Sequence, residues 1–348
     1  MTDPTSGAFS GQEQHLPADH PPVKTGRIGV LLVNLGTPEA PETGPVRRYL
    51  AEFLSDKRVI EIPSVIWQPI LRGIILTTRP KKSAAAYKEV WTEKGSPLAF
   101  ITCDQAERLQ PRFGDSVMVE WAMRYGEPSI GPKLDAMKAA GCERILLAPM
   151  YPQYCAATSA TVVDKVGDWL REQRWQPAMR TMPPYHDDPL YIAALAKDIG
   201  AQLDALDFTP EVLLLSFHGM PLRTLGLGDP YHCHCQKTAR LLTAELARPD
   251  IRIQATFQSR FGPAKWLEPA TDDTIIAEAE KGTKRMAIVA PGFSADCLET
   301  LEELAMQGRE EFVEGGGEQF AVLECLNARE TSMDMIEAIV RRELAGWM

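Results

Sequence analysis

The stretch "EVLLLSFHGMP" at 211–221 runs from unbroken apolar residues into Ser216, Phe217, His218, Gly219, Met220 and Pro221. A continuous apolar run, rather than an alternating one, marks a strand buried on both faces, as parallel sheets with helical crossovers require. Further runs of the same kind flank it: "RIGVLLVNLG" (27–36), "VMVEWAMRYG" (117–126), "RILLAPMYP" (144–152), "IRIQATFQS" (251–259) and "RMAIVAPGF" (285–293). Helical spacing fills intervals between them, at 129–141, 190–206, 237–247 and 272–282. The alternation predicts an α/β chain of two doubly wound, Rossmann-like domains, each a parallel sheet flanked by helices, with the active-site cleft between them.

The 348 residues, 45% of them hydrophobic, suffice for two cores. A polar, Pro- and Gly-rich lead-in over 1–26 is expected to be disordered. The Pro-rich break "PPYHDDP" at 183–189 divides a first domain, 27–187, from a second, 188–325. A C-terminal helix within 326–348, after the apolar run 319–327, is expected to pack back on the first domain. No apolar run approaches the roughly 20 residues of a membrane-spanning helix.

The net charge of −10 argues against nucleic acid as a partner, so any anionic ligand needs local arginines. Seven scattered cysteines, with no secretory signal ahead of them, fit a reduced, cytoplasmic chain. "YHCHCQK" (231–237) lacks the second Cys/His pair of a structural zinc site. An iron–sulfur cluster needs four ligands, and no cysteine-rich tail follows Cys325, so a cluster is not expected. Neither a phosphate-binding G-x-x-x-x-G-K-[ST] nor a G-x-G-x-x-G or G-x-S-x-G motif is present, so no nucleotide cofactor and no serine hydrolase elbow are implied.

In open α/β sheets, ligands bind beyond the carboxyl ends of the strands. Those ends carry Arg124, Tyr125, Tyr151, Tyr154, His218, Asp296 and Glu299. A histidine beside a core strand is often satisfied by a neighbouring carbonyl, but Gly219 and Pro221 after His218 make a stiff turn that a ligand can approach. In "SADCLETLEELAMQG", the spacing of Asp296, Glu299 and Glu303 puts three carboxylates on one face of a helix. The alternative is a capping box, Asp296 as N-cap and Glu299 at N3. A histidine facing carboxylates suits proton transfer or binding of a divalent ion such as Fe²⁺.

The motifs "LLVNLGTPEAP", "WAMRYGEPSI", "MYPQYCAATSA", "SFHGMP", "GDPYHCHCQKTARLL", "QSRFGPAKWLEPATDD" and "DCLETLEE", in that order over about 27–330, resemble the ferrochelatase family. The resemblance implies a chelatase-like pair of domains that insert Fe²⁺ into protoporphyrin IX, a lyase acting at the last step of haem synthesis, with no cofactor beyond the iron substrate. By match to the family's motifs, His218 and Glu299 flank the metal-insertion point as catalytic and metal-contacting residues. Asp296 and Glu303 extend the acidic side. Leu35, Met123, Arg124 and Tyr125 line the porphyrin pocket, with Arg124 available to a propionate. Which of His218 and Glu299 accepts protons and which meets the metal is open. Alternatives are a chelatase for coproporphyrin or another tetrapyrrole, and a non-catalytic porphyrin or metal carrier. The segment 64–91 joins apolar Trp67, Ile70, Leu71, Ile74, Ile75 and Leu76 to Arg79, Lys81 and Lys82. It reads either as a core helix or as an apolar lip at the porphyrin entrance, touching the inner face of the membrane.

Overall fold

The structure, a computed structural model, describes residues 24–348; most of the 1–26 lead-in lies outside the described residues. Eight strands form two four-stranded sheets: β1 (Arg27–Gly36), β2 (Val117–Tyr125), β3 (Cys142–Pro149) and β4 (Ala178–Thr181), then β5 (Val212–His218), β6 (Arg252–Gln258), β7 (Arg285–Val289) and β8 (Gln319–Val322). Their orders are β2-β1-β3-β4 and β6-β5-β7-β8, and every pairing is parallel. The two sheets repeat one topology.

The central strands are buried for the reason their composition gave: Val30–Val33 and Leu213–Leu215 are fully shielded by helices on both faces. The fourth strand of the first sheet, "AMRT", escapes the apolar-run criterion because it is a four-residue edge strand with exposed ends. In each unit the chain leaves the first strand to one side and then crosses to the other. The crevices therefore open between β1 and β3, and between β5 and β7.

The last helix, Glu330–Glu343, lies against both units. Its Met335, Ile336, Ile339 and Val340 meet Leu32, Ala148, Met150 and Met182 of the first domain. On its outer side Glu330, Asp334 and Glu337 all pair with Arg112. The segment 64–91 is two helices, Ser64–Ile70 and Leu76–Val90, joined by a π-turn over Leu71–Ile75. Pro69 and Pro80 lie inside those helices, where each removes a ladder donor. Trp67, Leu71 and Leu76 turn inward, and Trp67 Nε1 donates to Leu54 O at 2.6 Å. Val65, Ile66 and Ile74 point out, at 82%, 57% and 57% exposure. A core helix would bury these residues, so the segment keeps an apolar outer face.

Candidate functional site

The site starts where β5 ends. His218 is half-buried, its ring edge-on to Phe293 at 6.4 Å. Gly219 N then donates to Gln258 O at 2.7 Å, and a Cβ on Gly219 would come within 2.5 Å of that oxygen. The turn beyond His218 thus requires glycine. On the other side of the β5–β7 crevice, the chain leaving β7 enters a nine-residue π-helix, Glu299–Gln307. Such wide turns occur mostly at functional sites, because they trade regular backbone bonds for a particular side-chain placement. This one presents Glu299 and Glu303 together towards the cleft.

Both carboxylates have defined surroundings. Gln258 Nε2 donates to Glu299 O at 3.2 Å. Ser259, held at φ +64°, donates its N–H and its hydroxyl to Glu303 at 2.6 and 2.5 Å. Burial pushes the Glu303 carboxyl up to about 7; the Ser259 bonds oppose this and the charge of Glu299 adds to it. Burial lowers His218, with Glu299 pulling the other way, so the imidazole is held towards its neutral form with a free lone pair. From the first domain, the Tyr49 and Tyr87 hydroxyls are pushed up, first by burial, with the charge of Glu299 adding to it, and the Tyr49 hydroxyl donates to Gly36 O at 3.2 Å. Among the described residues, no side chain hydrogen-bonds to the His218 ring. Its lone pair is uncommitted.

Several expectations are corrected. The capping box does not form, and Asp296 does not join Glu299 and Glu303 on one face. Its buried carboxylate instead accepts from Asn327 Nδ2 at 2.6 Å and Thr300 Oγ1 at 3.0 Å, tying the start of the π-helix to the turn after β8. Arg124 does not offer its guanidinium to a ligand. It pairs with Asp56 at 2.5 Å, donates to Thr161 Oγ1 at 2.7 Å and covers the Tyr125 ring at 4.3 Å. Tyr125 is fully buried, its hydroxyl 2.9 Å from Asp56. Met123 is also fully buried, packed with Leu98, Ile101 and Cys297, so it backs the pocket rather than lining it. Leu35 is half-buried between the two apolar clusters that hold Leu298 and Cys297, at the cleft wall.

The "HCHC" residues diverge, because successive residues on the helix Tyr231–Leu246 point in different directions. His232 stacks on Phe257, His234 on His186, Cys233 is exposed and Cys235 lies in the core. Tyr154 N donates to His234 Nδ1 at 3.2 Å, and the Tyr151 hydroxyl is buried without a hydrogen-bond partner among the described residues. Across the mouth, Arg79 of the segment 64–91 sits 5.3 Å over Phe261, and Glu61 pairs with Arg223. Gln258, Ser259, Tyr49 and Tyr87 were not singled out by sequence reasoning. The first two sit in the quoted motif "QSRFGP", whose position after a strand was the available signal.

The family model described as Ferrochelatase matches residues 27–344. The chain is 53% identical over 337 residues to the ferrochelatase of Agrobacterium fabrum, covering 96% of this chain and 98% of the relative. It is 54% identical over 334 residues to the ferrochelatase of Rhizobium meliloti, covering 95% and 98%. Among solved structures, SirB from Bacillus subtilis with Fe³⁺ aligns with a TM-score of 0.52 at 13% identity, over 92% of this chain and 97% of that one. A sirohydrochlorin chelatase SirB in complex with cobalt, from Bacillus subtilis subspecies spizizenii, aligns with a TM-score of 0.52 at 9% identity, over 92% and 98%. Similarity at that level supports the shared fold.

Proposed function

The chain belongs to the ferrochelatase family, and on that premise we propose that it inserts Fe²⁺ into protoporphyrin IX to give protohaem, releasing two protons. The observation that carries the reading is the pairing at the β5–β7 crevice: His218 from one flanking strand and Glu299 from beyond the other, in a cleft with apolar and aromatic walls. A free-base porphyrin must lose two pyrrole protons as the metal enters, so the site needs a base and a metal contact. The neutral His218 lone pair and the Glu299 carboxylate supply one of each. Glu303, near 7, suits a group that passes a proton outward from Glu299.

A planar macrocycle hides its nitrogen lone pairs in the ring plane. A cleft that bends the ring exposes them, with the strain drawn from contacts elsewhere on the substrate. Leu35 and the lip supply such apolar contacts. With Arg124 committed to Asp56, the exposed Arg79, Lys81 and Lys82 of the segment 64–91 supply cations for the propionates. The outward Val65, Ile66 and Ile74 then dock the entrance on the cytoplasmic face of a membrane, where tetrapyrroles partition. Among the described residues no helix is long and apolar enough to cross one.

An anaerobic assay with Fe²⁺ and protoporphyrin IX, following the porphyrin absorption bands, tests the reading. Conversion to the haem spectrum at a rate proportional to protein is expected. Porphyrin binding without metallation would leave only a carrier.

A further inference from the structure

Beneath His218 and Glu299 lies a polar chain that the reaction as described does not use. Ser216, Thr256, Gln258 and Thr271 are at most 2% exposed. Their side chains form one line. Thr256 Oγ1 is 2.9 Å from Thr271 Oγ1, Thr271 Oγ1 is 2.8 Å from Ser216 Oγ, and Ser216 Oγ donates to Gln258 Oε1 at 2.7 Å. The line ends where Gln258 Nε2 donates to the backbone carbonyl of Glu299 at 3.2 Å. That carbonyl can only accept, which sets the orientation of the amide.

Gln258 also grips the other reagent. It stands directly across the β5–β6 ladder from His218, and its backbone oxygen takes the N–H of Gly219. One residue is therefore bonded to the turn that aims His218 and to the first carbonyl of the π-helix that aims Glu299. An apolar side chain of similar volume would fill the space without direction, whereas the amide has one arrangement that satisfies both partners.

We propose that Gln258 is the positioning residue of this site, setting the separation between His218 and Glu299, with Ser216, Thr271 and Thr256 fixing its amide from behind. It does not touch the substrate. The inference rests on the ferrochelatase reading and deepens it, since a site that must take protons and deliver metal at one ring centre tolerates little error in the spacing of its two reagents. Misplacement by about 1 Å costs on the order of 100-fold in rate.

The test uses two variants of the full chain. Gln258→Leu removes both side-chain bonds. Gln258→Glu keeps an acceptor for Ser216 and replaces the donor to Glu299 with oxygen, so it remains informative if the leucine variant does not fold. For each, kcat for Fe²⁺ insertion, KM for protoporphyrin and porphyrin affinity by tryptophan fluorescence quenching are compared with the wild-type protein. The expected result is a kcat lower by about 10- to 100-fold, with KM and affinity within about twofold. A kcat within twofold of wild type in Gln258→Glu overturns the proposal. So does a loss confined to KM and affinity, which would make Gln258 part of the pocket's shape. If the wild-type protein itself inserts no iron, the functional reading has failed instead.

Discussion

The two sheets share one strand order, and both place polar side chains at their carboxyl ends, yet the two ends are spent differently. In the first domain, Arg124, Tyr125, Asp56 and Thr161 close on one another, and each of these four side chains finds a protein partner. In the second, the His218 ring has no such partner, and burial, with the charge of Glu299 adding to it, raises the Glu303 carboxyl. A network that satisfies itself stabilises the fold. One that leaves an imidazole without a protein partner, as at His218, is available to a substrate. Topology alone does not distinguish these cases; the hydrogen-bond accounting does.

The contrast is broken most severely by substitution in the second domain. Glu299→Gln is expected to lower the insertion rate by at least about 100-fold while porphyrin still binds, measured by single-turnover absorption and fluorescence quenching. Comparable turnover in that variant would move the chemistry away from the π-helix. Arg124→Met should show the reverse signature. It leaves Asp56 buried without its cation and costs about 3 kcal/mol in urea unfolding, while kcat per folded molecule stays within about twofold. A specific loss of porphyrin affinity would return Arg124 to the pocket.

Two carboxyls sharpen the same comparison through pH. Burial would raise Asp56, but the hydrogen bonds from Thr161, Arg58 N–H and Tyr125 and the charge of Arg124 outweigh it, so its pKa is depressed. Its stabilising contribution is present above the ordinary carboxyl range and is lost as pH falls through the depressed value. Glu303 runs the other way. With its pKa raised from 4.5 to about 7, its contribution is present below 4.5 and is lost as pH rises through 7. The gain in Tm of Glu303→Gln over wild type should therefore be larger at pH 8 than at pH 5; a pH-independent difference would mean Glu303 is not held neutral. The smallest effect is expected at the lip, where Ile74→Glu should reduce pelleting with anionic vesicles severalfold without changing kcat in detergent. Unchanged pelleting would remove the membrane from the account.

Most of the fold was legible because six strands coincide with apolar-rich runs at 27–36, 117–126, 144–152, 211–219, 251–259 and 285–293, clearest in the central strands β1 and β5 and weakest in the edge strand β6. The edge strand Ala178–Thr181 left none. His218 and Glu299 could be found from strand ends and motifs, since both depend on local position. Arg124, Tyr125 and Asp296 look identical in sequence to pocket residues, because their partners Asp56, Thr161 and Asn327 lie 68, 37 and 31 residues away. The π-pitch of Glu299–Gln307 was equally hidden: its spacing of carboxylates fits an α-helix as well, and the bonds it receives come from Gln258 and Ser259, more than 40 residues away in sequence.

The central claim is that the unsatisfied end of the second sheet performs the chemistry, and His218→Ala addresses it most directly. Fe²⁺ insertion into protoporphyrin IX and porphyrin affinity are measured on the same anaerobic preparation. The account predicts insertion falling to the uncatalysed rate with affinity within about threefold of wild type. Retention of full turnover by His218→Ala would contradict it.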